Sequence, residues 1–148
     1  MKILVLLCAA IMLAGCSEEK STGDPKIDQA LKDAVHFDSL ATGDWTGRFY
    51  QNNEPYSGWA IRTDRWGVAA LLQFKDGKMN GLSTQWHENG QKKGEATFKD
   101  GKIDGLATGW HENGQKAAEA TYKDGEEVSG KYWNSKGEEV ESLDEAEE

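Results

Sequence analysis

Two strings in this chain gather side chains that could hold a metal ion or move a proton. Trp86-His87-Glu88-Asn89-Gly90-Gln91-Lys92 returns letter for letter at Trp110-His111-Glu112-Asn113-Gly114-Gln115-Lys116, 24 positions later. Neutral imidazoles are good zinc ligands, and paired carboxylates can run glycoside hydrolysis. The spacing argues against both. Equivalent residues on successive hairpins lie two strands apart, roughly 9–10 Å. Zn–N bonds are ~2 Å, so the two rings would have to lean far toward each other to share an ion. The acids sit beside turns or near the C-terminus, and nothing groups one with a nucleophile, an oxyanion hole or a phosphate loop. Asp76-Gly77-Lys78 and its copies are turn chemistry, not a P-loop. The sequence therefore reads as non-enzymatic, with no catalytic residue, metal or cofactor expected. His87, His111, Glu88 and Glu112 are expected at solvated strand ends.

Aromatic residues are the more informative feature. Trp86, Trp110 and Trp133 recur with the repeat. A periodic Trp packs between neighbouring hairpins, and a row of partly exposed rings also suits protein recognition. Phe74, Phe98 and Tyr122 form a second, fully apolar row. We expect the Phe/Tyr row on the packing side. The Trp row, mixed with Thr84, Thr108, Lys93 and Glu95, is expected to border a partner.

The elements that position these rows follow from the turns. Asp76-Gly77, Asn89-Gly90, Asp100-Gly101, Asn113-Gly114 and Asp124-Gly125 each suit a two-residue type I′ hairpin, which needs φ > 0 at both central positions. Gly77, Gly90, Gly101, Gly114 and Gly125 are thus structural turn residues. The segments between them have strand length. Gly at short intervals and the lack of a 3.6-residue apolar stripe exclude helix there. With Asn89-Gly90 at a turn centre, Trp86 faces Lys93, Thr84 faces Glu95 and Phe98 lies beside Gly81. Apolar residues then fall on both faces, and a bulge at Gly81 and Gly105 would restore parity. A worn earlier copy runs from Tyr50 to Trp59, with Asn52-Asn53 in place of Asp-Gly. The fold class is an all-β repeat: an antiparallel meander of hairpins forming one elongated sheet, with one short helix before it.

The units Asp76–Lys92 and Asp100–Lys116 resemble the MORN repeat in its bacterial variant, across roughly residues 49–140. Proteins of this look are grouped with YwqK-like antitoxins. The resemblance implies stacked β-hairpins that bind or scaffold. Its alternative implication is an antitoxin or immunity-type protein.

The remaining segments bound the setting. Lys2 precedes an apolar run, Ile3 to Leu13, too short to span a bilayer as a helix. Leu13-Ala14-Gly15-Cys16 is similar to the lipobox of bacterial lipoproteins. By that likeness residues 1–15 are a signal peptide and Cys16 is acylated, palmitate being one suitable chain. Residues 16–24 read as a lipidated tether, and 25–40 as a connector. Within it, Asp24-Pro25 and the spacing of Ile27, Leu31 and Val35 predict a helix over about Pro25–His36. Residues 41–137 are expected to form the repeat sheet. Residues 138–148, rich in Glu and free of Lys and Arg, are expected to be a disordered acidic tail. The chain carries 17 basic and 26 acidic residues, a formal net of −9, a poor match for nucleic acid or anionic headgroups. The expected partners are a membrane, reached through the lipid anchor, and another envelope protein. The outer membrane is preferred over the inner, because Ser17 is not the Asp of inner-membrane retention.

Overall fold

The structure, a computed structural model, describes residues 25–42, 48–65 and 67–146. Cys16, the 1–15 segment and the 16–24 tether lie outside the described residues. In chain order the elements are α1 (Pro25–Asp33), β1 (Val35–His36), β2 (Ala41–Thr42), β3 (Phe49–Gln51), β4 (Glu54–Pro55), β5 (Gly58–Asp64) and β6 (Gly67–Lys75). Then come β7 (Lys78–Trp86), β8 (Lys92–Lys99), β9 (Lys102–Trp110), β10 (Lys116–Lys123), β11 (Glu126–Trp133), β12 (Glu139–Val140) and α2 (Leu143–Ala146). Strands β5 to β12 form an antiparallel meander in chain order, and β1 adds to its first edge in parallel.

Two different turns alternate along the meander. At one end Asp76 and Gly77 both have positive φ, 50° and 77°, and Lys75 pairs with Lys78. Asp100-Gly101 and Asp124-Gly125 repeat this geometry, and Asn52-Asn53 reproduces it between β3 and β4. These are two-residue type I′ turns. At the other end only the glycine is left-handed: Gly90 has φ 81° and Asn89 does not share it. The Gly90 N–H donates to the His87 carbonyl (2.9 Å), and the His87 N–H to the Gln91 carbonyl (2.8 Å). Glu88-Asn89-Gly90 is therefore a three-residue loop, a type I turn closed by a left-handed Gly. This corrects the two-residue reading of Asn-Gly. The Asn89 carboxamide selects the longer loop by accepting from the Gln91 N–H at 2.9 Å. The added residue shifts the register, so Trp86 pairs with Lys92 rather than Lys93.

Bulges reconcile the apolar pattern with the pleat. Phe74 pairs with Met79 but Leu72 with Ser83, so Asn80, Gly81 and Leu82 stand against Gln73. Phe98 pairs with Ile103 but Ala96 with Ala107, which repeats the insertion at Asp104, Gly105 and Leu106. Gly81 and Gly105 adopt φ of 106° and 125° there, open to glycine and strained for other residues.

The core lies at the N-terminal end, where the sheet is covered on both faces. Leu71, 1 % exposed, packs with Ile27 and Ala30 of α1, flanked by Trp59, Ile61 and Trp86. Burying a side chain of that size contributes about 1.5–3 kcal/mol. On the opposite face Phe74 and Ala60 pack with Leu40 and Tyr56, flanked by Phe37 and Phe49. Phe74 meets Phe49 edge-on at 5.2 Å. That second cover is a separate three-stranded sheet, β2-β3-β4. Strands β2, β3 and β4 thus lie outside the elongated sheet to which the sequence reading assigned them. The helix also stops at Asp33, short of His36, because Val35 and His36 pair with Ala60 and Ile61 of β5. Tertiary pairing there outweighs a helical periodicity that Val35 supports only weakly.

The acidic segment is a further correction. Its described residues carry secondary structure where a disordered tail was expected: β12 pairs with β11, and Ala146 is 1 % exposed in α2. Ser142 Oγ accepts from the Glu145 N–H, and the Glu145 carboxylate accepts from the Glu141 N–H. This is a variant of the capping box, in which acids at a helix start are favourable. Ahead of it Glu127 accepts from the Tyr132 hydroxyl at 2.6 Å and the Tyr122 hydroxyl at 3.2 Å.

Two outcomes follow. Gly77→Ala should destabilise the fold more than Gly101→Ala. Both substitutions carry the left-handed backbone cost of about 1 kcal/mol. A Cβ at Gly77 would also stand 2.8 Å from the Phe49 carbonyl and 3.1 Å from Arg48 Cβ, whereas Gly101 has open space. Denaturant titration of both variants measures the difference. The Tyr132 hydroxyl is pushed up to about 12, chiefly by its hydrogen bond to Glu127. Its stabilisation is thus complete below the ordinary tyrosine value and lost as pH rises through the folded one. Glu127→Gln should bring the tyrosinate absorbance step to lower pH.

Candidate functional site

The repeated heptad builds a ladder between turns. His87 Nε2 donates to the Trp110 carbonyl at 2.7 Å, and Asn89 Nδ2 to the Glu112 carbonyl at 2.8 Å. One unit later His111 bonds the Trp133 carbonyl and Asn113 the Ser135 carbonyl, both at 2.8 Å. A Cβ on Gly114 would lie 3.0 Å from Gln91 Oε1, so the Gln of one unit rests on the Gly of the next. Because a carbonyl only accepts, each Nε2 must carry the proton, and that nitrogen is already committed. The histidines are half-buried staples, which corrects the reading of them as solvated strand ends. Glu88 and Glu112 do lie exposed. Among the described residues no three His, Cys, Asp or Glu side chains gather into a set that could hold a metal.

The last turn shows the same logic in the negative. Trp133-Asn134-Ser135-Lys136-Gly137 keeps the Trp-to-Gly spacing but replaces His and the loop Asn. Asn134 folds back on its own loop, accepting from Lys136 and Glu138 N–H groups at 3.0 Å. Its Nδ2 donates to the Glu138 carboxylate. With no further turn to staple, the terminal unit caps itself. Gly137, φ 84°, was legible as a turn from its distance to Trp133 and was missed.

Trp86, Trp110 and Trp133 line the face on which α1 sits, with the paired Leu71 and Thr84 on the same face. The structure splits the row. Trp86 packs beside the α1 cluster. Trp110 and Trp133 lie beyond the helix, each with a lysine from the preceding unit over its ring: Lys92 at 5.9 Å and Lys116 at 5.6 Å. Those lysines pair with Glu95 and Glu119. A cation over an indole face adds about 0.5–1 kcal/mol at such exposed sites. Leu106, on the same face, is 53 % exposed. The arrangement is a half-wet strip of indole, aliphatic, ammonium and carboxylate groups, suited to holding a surface and without a reactive group. Of the second row only Phe74 is buried; Phe98 and Tyr122 are half-covered.

At the Asp-Gly end the units are stitched by backbone. The N–H of Gly77 donates to the Tyr56 carbonyl, that of Gly101 to Met79, and that of Gly125 to Ile103. Asp104 further binds Lys123 Nζ at 2.8 Å and the Asp124 N–H at 3.2 Å. These contacts, the Lys123 hydrogen bond foremost, hold the Asp104 carboxyl below the usual range.

Residues 79–100 and 103–124 match the family model described as MORN repeat variant. Each match begins just after one Asp-Gly turn and ends at the next, so one repeat is one hairpin, β7–β8 and then β9–β10. The chain thus carries MORN-type repeats at these residues. No curated protein and no solved structure matches the chain.

His87→Ala should lower stability by about 1–2 kcal/mol, since it leaves a half-buried carbonyl without its donor. Glu88→Ala should stay within about 0.5 kcal/mol. Urea midpoints at fixed m-value make that comparison. Asp104 contributes stability above the ordinary carboxylate range and loses it as pH falls through the lowered folded value. In Lys123→Met, the Asp104 carboxyl carbon should titrate closer to a free aspartate, which an NMR pH titration reads directly.

Proposed function

We propose that this chain is a lipid-anchored protein of the bacterial cell envelope. Its repeat sheet serves as a non-enzymatic surface for binding or scaffolding another envelope protein. The observation that carries the reading is the uncovered strip around Trp110, Trp133 and Leu106. Helix α1 covers the Trp face only at its N-terminal end, so the later units keep indole and aliphatic area open between charged groups. Tyr- and Trp-rich patches with a polar rim are the usual composition of interface hot spots. MORN-type repeats, whose family generally binds or scaffolds, support the same class of function. The anchor rests on Leu13–Cys16, and the preference for the outer membrane on Ser17.

The two halves of the proposal are tested separately. Cys16→Ser should abolish incorporation of labelled palmitate; continued labelling removes the anchor. Cross-linking in intact envelopes, followed by capture of the chain, should recover a partner. Trp110→Ala should reduce that recovery at least tenfold while shifting the melting temperature less than Phe98→Ala does. If Trp110→Ala unfolds the chain as Phe98→Ala does, and refolded material still recovers the partner, the strip is core.

A further inference from the structure

We infer that the hollow beside the first Asp-Gly turn is a binding site for a small phosphate-class oxyanion. The hollow, about 360 Å³, is lined by Arg48, Lys75, Lys78 and Lys99, with Asn80, Asp76 and Asp100. Among the described residues its four cations form no salt bridge; Lys99 acts on Asp104 through space only. Among the described residues Arg48 Nε is buried with no hydrogen-bond partner. A buried guanidinium donor without an acceptor is costly, and an anion in the hollow that Arg48 lines would bring a compensating charge beside it. The approach is built into the fold. Phe49 N–H donates to the Gly77 carbonyl at 2.8 Å, and Gly77 brings Arg48 against the turn.

The repeat provides its own control. Asp104 occupies in the next unit the position that Asn80 holds in this one. There the carboxylate neutralises Lys123, the counterpart of Lys99. In the first unit the neutral amide leaves Lys99 without that partner, and Arg48 adds a further charge. One unit carries an internal anion against its lysine, and its neighbour is left net positive in a chain of formal net −9. Clustered ammonium groups beside a forked guanidinium suit tetrahedral oxyanions. The flanking Asp76 and Asp100 confine the positive region to small ligands.

This site lies at the opposite end of the strands from the Trp-to-Lys turns, and its test is independent of the partner surface. The full chain in phosphatidylcholine vesicles is titrated with inorganic pyrophosphate, read by calorimetry. Saturable binding is expected, weakened at least tenfold in Asn80→Asp, which installs the carboxylate that the next unit already uses. Arg48→Gln should weaken it as much, and Lys136→Gln, at a distant turn, should not. Asn80→Asp keeps the sheet contacts, so an unchanged melting temperature separates lost binding from lost fold. Repeating the titration with phosphatidylglycerol in the vesicles distinguishes sources. A wild-type affinity that falls, while Asn80→Asp does not respond, assigns the site to a lipid headgroup; an unchanged affinity assigns it to a free oxyanion. Absent binding, or binding that Asn80→Asp and Lys136→Gln reduce equally, overturns the proposal.

Discussion

The structure depends on one contact, made twice in the described residues: a side chain on one turn satisfying backbone carbonyls on the next. A hairpin of this kind has no independent stability, because two strands bury too little. The His and Asn staples fix neighbouring three-residue loops at one end, and the Gly N–H bonds fix the type I′ turns at the other. Between them the strand register, the bulges and the placement of Trp110 and Trp133 under the lysine of the preceding unit follow. The identity of the heptads is explained in these terms. His and Asn reach forward to the next unit, Gln rests on its Gly, and Lys covers its Trp. Gly closes the loop. Only the Glu side chain has no such role.

Repetition alone does not make a stable end. The N-terminal units borrow a helix on one face and a three-stranded sheet on the other, giving a local sandwich around Leu71 and Phe74. The C-terminal unit has β12 and α2, short elements that occupy the edge and bury Ala146. Terminal units of a repeat array must differ from interior ones for this reason. Asn134 in place of His, and Lys136 in place of Asn, are that difference at the scale of two residues. The middle units have little such cover, α2 reaching only as far as β10, which leaves Trp110 half-buried and Leu106 exposed.

Much of this was legible in the sequence. Period, turn positions and strand identity come from Asp-Gly and Asn-Gly signals, whose meaning is local. Turn type at Asn89 was not legible, because Asn-Gly serves both a two-residue turn and a longer loop; the choice lies in where the Asn carboxamide bonds. The role of His87 was hidden because its acceptor is a backbone carbonyl 23 residues away, and carbonyls leave no trace in sequence. The β2–β4 cover was missed since its strands are two or three residues long and take their partners from packing, not pattern. The end of the chain misled through composition: dense acid suggests disorder, while Ser142 and Glu145 place those charges where a helix start welcomes them. The basic hollow was hidden for a related reason. Asn80 and Asp104 differ by one atom type, and their consequence appears only when the turns are set side by side.

The central claim is that successive units meet through the same bonds and are therefore interchangeable. Removing residues 101–124 tests it most directly. The deletion joins Asp100 to Gly125, restores an Asp-Gly turn, and presents Trp133 and Ser135 to His87 and Asn89. Chemical denaturation should show one cooperative transition, with an m-value reduced roughly in proportion to the surface lost. A shortened chain that is unfolded, or that melts without cooperativity, would contradict the account.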